Sequence, residues 1–263
     1  WIALGEYTPE KILSRSELRS GSEMPFKFPL INYQDNNIDE EEFWEVIKKT
    51  KRIQLIGGET WLIKQYVQIL EKCVKEGWAK DKKIFAFSNN FGYPKMRYIY
   101  DLLKEFKSVH YKCSMELWGQ KNDYIRYPSK WPEVYKNIKL MSTLPNISLG
   151  FAFTLNPLNI GYVDEAVKGA NEFGRKASFF NLTRPVWFTL KSLPPDLKNF
   201  YLDKLYNNSY DVIDKIQKPL EYLENLEFDE LQHHTMIAKI KARDELRGDN
   251  ILKYFPEWTP YFK

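Results

Sequence analysis

Ile53-Gln54-Leu55-Ile56-Gly57-Gly58-Glu59-Thr60 is a short apolar run that stops at two glycines and a carboxylate and then enters a helical pattern. A run this brief, bounded by Gly-Gly and followed at once by periodic apolar positions, predicts a buried strand feeding a helix through a tight turn. Such junctions are where α/β folds place ligands. Two adjacent glycines let backbone amides come close to a polar small molecule, and Glu59 at the strand end can accept hydrogen bonds from an amine. The same residues also make a plain turn, and this stretch by itself leaves both readings open.

Working outward, the strand spans Arg52 to Ile56 and the helix Trp61 to Glu76, with Leu62, Tyr66, Ile69, Leu70 and Cys73 on one face and Gly77 as cap. The unit then repeats. Lys83 to Phe87 is a strand ending in Ser88-Asn89-Asn90, and Pro94 opens a helix carrying Met96, Ile99, Leu102, Leu103 and Phe106. Ser108 to Met115 is a third strand, ending at Ser114 and Glu116, with a helix around Trp131 to Leu140 after it. Ile147 to Leu155 is a fourth, running into Asn156-Pro157, followed by a helix from Val163 to Phe173 closed by Gly174. Lys176 to Asn181 or Val186 to Leu190 supplies a fifth. Successive strand–helix units whose strands end in small or polar residues predict a parallel barrel with its site at the carboxyl face.

Upstream, Trp1 to Asn37 is rich in turn formers, with one possible short helix from Pro9 to Leu18; Asp39 with Glu42 resembles a capping box that starts a helix through Phe43, Val46 and Ile47. The first residue is Trp1 and the chain enters in mid-pattern, so a preceding segment is expected. At 263 residues and 43% hydrophobic, the chain can bury a full core. No apolar run approaches the roughly 18–20 residues of a membrane span, and no secretory signal is visible, so the cytoplasm is the expected compartment. Lys plus Arg number 39 against 35 Asp plus Glu, and they are scattered, which predicts neither a nucleic-acid nor a membrane surface. Cys73 and Cys113 form no metal-binding spacing, and Cys73 on the apolar stripe of its helix is expected to be a buried thiol.

These segments, taken in order, resemble the radical S-adenosylmethionine proteins, and among them the type with a twitch extension. The resemblance spans nearly the whole chain. It rests on Ile53 to Glu59, on Ser88-Asn89-Asn90, on Ser114-Met115-Glu116 followed by Tyr124-Ile125-Arg126-Tyr127 and Trp131, on Leu144-Pro145-Asn146-Ile147, on Asn156 with Leu158-Asn159-Ile160, and on Ser192 to Lys198. It implies an α/β fold: a partial (β/α)6-type TIM barrel over residues 1–193, with a helical C-terminal extension over 194–263 packed on it. The implied cofactors are S-adenosylmethionine and a [4Fe–4S] cluster, with the cluster ligands expected upstream of Trp1. Gly57 and Gly58 would lie along the methionine moiety and Glu59 would accept from its amino group. Ser88 and Asn90, and Ser114 with Arg126, would reach the ribose and the carboxylate; Asn156 would lie near the adenosine. Arg126 also has an alternative reading as a surface ion pair.

The sequence departs from the family at three points. The C-x-x-x-C-x-x-C cluster loop is absent, Thr60 stands where the family has proline, and Glu116-Leu117 replaces its Asp-Gly. The implied activity is reductive cleavage of the cofactor to a 5′-deoxyadenosyl radical that abstracts hydrogen from a substrate, with a separate electron donor and a substrate, peptide or small molecule, that the resemblance leaves open. The alternative is a barrel without a cluster that serves as a binding or scaffolding protein.

The tail from Pro195 predicts three apolar stripes: Leu197, Phe200, Tyr201 and Leu205; Val212, Ile213, Ile216, Leu220 and Leu223; and Leu231, Ala238, Ala242 and Leu246, ending in a cap at Arg247-Gly248-Asp249. His233-His234 lie about 100° apart on a helix and are expected to be packed or solvated instead of sharing a metal. Asn181, Arg184, Trp187 and the stretch from Tyr254 to Phe262 are the candidates to line a substrate opening, although rings such as Trp258, Tyr261 and Phe262 more often pack a core.

Overall fold

The computed structural model describes residues 40–90 and 96–262. The expected helix at Pro9 to Leu18, the Asp39 cap and the Pro94 helix start lie outside them. The chain divides into two units at Lys49 and Thr50. In the first, α1 (Glu40–Lys49) carries Glu40, Glu41 and Glu42 in its first turn and Lys48 and Lys49 in its last, charges that suit the helix dipole at both ends.

The second unit is built on one sheet of five parallel strands, β1 (Arg52–Leu55), β2 (Lys83–Ser88), β3 (Ser108–Met115), β4 (Ile147–Leu155) and β5 (Ala177–Asn181), in the order β1-β2-β3-β4-β5. Sequential parallel order is the order of a partial barrel, and it places every strand's carboxyl end along one edge. The connections carry α2 (Lys64–Lys75), α3 (Met96–Leu103), the short α4 (Lys121–Ile125), α5 (Trp131–Ser142) and α6 (Val163–Glu172). Ile53, Leu55, Ile84, Ala86, Val109, Tyr111, Leu149 and Phe151 alternate with exposed or half-buried residues, so one face of the sheet is covered and the other is open. Of the two expected fifth strands, the first formed; Val186–Phe188 is a 3₁₀ turn. The expected helix from Trp61 is divided into a 3₁₀ turn at Thr60–Leu62 and α2, which leaves Leu62 65% exposed instead of inward.

The tail supplies α7 (Pro195–Asn208), α8 (Gln217–Glu224), α9 (Glu230–Arg247) and α10 (Thr259–Phe262). Its core side chains, among them Tyr201, Ile216, Met236 and Trp258, join Leu117, Tyr124, Leu155 and Ile160 in one apolar cluster. The stripe expected on α9 is wrong: Leu231 and Leu246 are 77% and 87% exposed, and the buried residues are His233, Met236, Ile240 and Asp244. Partners chose this face. Asp244 accepts from Tyr124 Oη at 2.7 Å and from the Ile251 amide at 2.6 Å, and the His233 Nδ1 lies 2.9 Å from the Ser192 carbonyl. Gly248, at φ 61°, closes α9 as expected.

Burial lowers the pKa of His233 below the ordinary 6.5, against a smaller opposing pull from the Ser192 carbonyl. Below 6.5 the unfolded chain therefore binds a proton that the folded chain resists, so stability rises with pH there and is lost on acidification. Thermal melts between about pH 7.5 and 5.5 should show the melting temperature falling with acid, and His233→Gln should remove part of that fall. An unchanged slope in the variant would show that His233 is protonated equally in both states.

Candidate functional site

The turn after β1 is fastened to β2 and β3. Thr60 is fully buried, and its hydroxyl donates to the Phe87 carbonyl at 2.5 Å. Trp61 Nε1 donates to Tyr111 Oη at 3.0 Å, and Tyr111 Oη in turn donates to Asn90 Oδ1 at 2.9 Å. A proline at position 60 could not make the first of these bonds, which gives the threonine a structural role of its own. Glu59 is in extended backbone immediately before the 3₁₀ turn. Its Oε2 accepts from the Asn89 amide at 2.9 Å, whereas its Oε1 is buried with no hydrogen-bond partner. Space lies open beside Gly58, where an added Cβ would meet nothing within 4 Å; at Gly57 it would come 2.9 Å from Ile63 Cδ1.

Ser88 and Asn90 turn inward. They are 2% and 0% exposed, and Asn90 adopts φ 56°, a left-handed conformation that asparagine tolerates better than most residues. The Asn90 amide donates to Ser88 Oγ at 3.0 Å, and Asn137 Nδ2 donates to the Asn90 carbonyl at 3.0 Å. Only the Nδ2 of the Asn90 side chain is left without a partner.

A second group gathers just past the ends of β3 and β4. Arg126 Nη2 donates to Glu116 Oε1 at 2.8 Å, and Asn156 Nδ2 donates to Glu116 Oε2 at 3.0 Å. Asn159 Nδ2 donates to the Glu116 and Thr154 carbonyls at 2.9 and 2.8 Å, and the Asn122 side-chain oxygen receives the Glu116 amide at 3.0 Å. Burial pushes the Glu116 carboxyl above the ordinary range, and Arg126 and Asn156 pull the other way. The structure thus brings Arg126 and Asn156 together, but around a carboxylate of this chain. The charge of Arg126 is neutralised in place, with its Nε buried and unpaired. Ser114 stands half-buried on the open face of the sheet, one position before Met115 ends β3. Glu116 and Asn159 stand in the stretches that carry the resemblance but were not among the expected cofactor-binding residues; the spacing Asn156-x-x-Asn159 beyond a strand end was the available signal for their roles as hub and support.

Cys73 and Cys113 are both fully buried, and burial raises their thiols to about 11 and about 12. Both are therefore held as neutral thiols, unlike cluster ligands, which bind as thiolates. Among the described residues no group of three His, Cys, Asp or Glu side chains could hold a metal ion. His233 is packed as described, and exposed His234 faces Glu230 at 3.5 Å. A hollow of about 440 Å³ opens beyond β4 and β5, lined by Leu155, Phe179, Asn181, Lys218, Glu221 and Tyr222. Asn181 is on the wall of this hollow, whereas Trp258 is fully buried in the core.

No known family and no curated protein matches the sequence. Among solved structures, the chain is similar to one described as TYW1 with a lysine-pyruvate adduct bound, with 16% identity and a TM-score of 0.36 over 65% of this chain. The match spans 54% of the TYW1 chain, about half of its length. A likeness of that level carries no argument here.

Proposed function

We propose that the carboxyl edge of the sheet binds S-adenosylmethionine and that the chain is the cofactor-holding part of a radical S-adenosylmethionine enzyme. The observation that supports this reading is the Glu59 Oε1 atom. A buried carboxylate oxygen without a donor is costly, and a ligand ammonium approaching past Gly58 would satisfy it. Glu59 is oriented for that task by the Asn89 amide on its other oxygen, so little side-chain freedom remains to be lost on binding. When bound with a reduced cluster, the cofactor supplies a carbon radical that abstracts hydrogen. The described residues hold no thiolates for a cluster, so its ligands would come from outside them, and so would the electron donor. Ser114, Arg126 and Asn156 remain the candidates for the far side of the cofactor, and the substrate, peptide or small molecule, is part of the same proposal.

Glu59→Ala should weaken S-adenosylmethionine binding by about 1.5–3 kcal/mol, roughly ten- to a hundredfold, in a calorimetric titration of the full-length protein. Unchanged affinity would reduce Gly57-Gly58-Glu59 to a plain turn. One observation favours a second reading, a barrel that binds without chemistry: Arg126, the cation expected for the cofactor's carboxylate, is already paired with Glu116. Absence of any S-adenosylmethionine binding by the full-length protein would select that reading.

A further inference from the structure

The open face of the sheet has a one-sided chemistry. Register places Gln54, Phe85, His110 and Ser148 in one row across β1 to β4, then Phe87, Lys112 and Gly150, then Ser114, Ala152 and Ser178, and finally Thr154 beside Phe180. None of these strand positions carries an Asp or Glu. Past the strand ends lie two carboxylates: Glu116, paired with Arg126, and Glu59, whose Oε2 accepts from the Asn89 amide. Lys112 is half-buried, and no carboxylate lies within ion-pairing range of it among the described residues. Its stem runs over Gly150, where a Cβ would sit 3.9 Å from Lys112 Cε, and its ammonium lies 5.8 Å from the Phe180 ring centre. Around it the face is apolar yet exposed: Ile56 is 59%, Phe87 37% and Phe180 51% open to solvent. Phe85 and His110 stack at 4.4 Å, and the row Ser114, Ala152 and Ser178 carries only small side chains.

We propose that this face binds an organic anion with a flat apolar body, its negative group on Lys112 and its body against Phe87 and Phe180. An anion gains the unshared charge of Lys112 and meets no opposing carboxylate on the strands. A cation of the same shape would face the Lys112 ammonium with no strand carboxylate to balance it. Exposed rings in one patch add the apolar driving force. The site adjoins Gly57 to Glu59, since Ile56 continues β1 beside Phe87. On the reading under Proposed function the anion is the substrate; its binding does not depend on that reading.

The test is a fluorescence titration of the full chain with 8-anilinonaphthalene-1-sulfonate, alongside N-phenyl-1-naphthylamine, which has the same rings without the sulfonate. Lys112→Met should weaken the sulfonate about tenfold, equivalent to ~1.4 kcal/mol, and leave the amine unchanged. Ser178→Glu, which adds a carboxylate to the row of small side chains and keeps Lys112, should do the same. Lys253→Glu, in the separate hollow lined by Trp118, Lys121, Glu165 and Tyr254, should have no effect. Equal loss of both dyes, no loss of either, or loss that follows Lys253 would overturn the proposal. Glu59→Ala takes away no group that this site uses, so it should not weaken the sulfonate. A failed S-adenosylmethionine titration with a charge-dependent dye site would therefore sink the cofactor reading alone, and the converse would sink only the anion site.

Discussion

Replacing Trp258 with alanine is expected to cost about 3–5 kcal/mol of stability, the range for removing a large ring from a packed core. Trp258 is fully buried, and its Nε1 donates to Tyr201 Oη at 3.0 Å. Tyr201 and Tyr162 both donate to Glu257 Oε1, at 2.7 and 2.6 Å, so the truncation strips one bond from a connected set while opening a cavity beside it. The wall cannot easily relax into that cavity. Tyr201 is fully buried against Gly161, where even a Cβ would come 2.2 Å from the ring. Deleting residues 258–263 should go further and abolish cooperative unfolding in urea, because that segment closes the core shared by barrel and tail. If the deletion left stability within about 1 kcal/mol of the intact protein, the end of the chain would instead be a lid.

Glu116→Ala should be nearly as damaging, by about 3–5 kcal/mol, since it leaves Arg126 largely buried without its carboxylate. The loss also removes one acceptor from Asn156 Nδ2, which keeps only its bond to the Thr154 carbonyl, whereas Asn159 retains the Glu116 and Thr154 carbonyls. Chemical denaturation of Glu116→Ala, Arg126→Met and the double variant separates these effects. The double variant should lose clearly less than the sum of the two single losses, and strict additivity would show that the pair carries no coupling. The same carboxyl gives a pH signature. Burial raises it above the ordinary 4.5, so between that value and its folded-state value the folded chain binds more protons than the unfolded one. Stability from this group is therefore full below the ordinary value and declines as pH rises through the raised one. Glu116→Gln should remove that decline.

Much of the fold was legible from local pattern. The bounds of β3 and β4 coincide with the expected strands Ser108 to Met115 and Ile147 to Leu155, because a sheet covered on one face must be apolar at alternate positions and stops where polar groups reach water. Glycines 77, 174 and 248, all at positive φ, end their segments for a reason that belongs to the residue itself. Glu59 could be chosen as a binding candidate because its strand end and its two glycines are contiguous in sequence.

Side-chain partners lay beyond that reach. The Arg126 guanidinium has the same sequence context whether it serves a ligand or Glu116, and only the folded turn after β3 brings the carboxylate to 2.8 Å. Likewise the inward face of α9 was fixed by Tyr124 donating to Asp244 across 120 residues, which overrode the apolar stripe through Leu231 and Leu246. That no carboxylate of the described residues pairs with Lys112 also became visible only once register set five strands side by side. The sequence alone determined where segments start, stop and bury, because those follow from near-neighbour sterics and periodicity. The tertiary structure decided which polar groups are satisfied and which are left over, because hydrogen bonds and ion pairs act over about 3–4 Å and depend on what distant segments bring within that range.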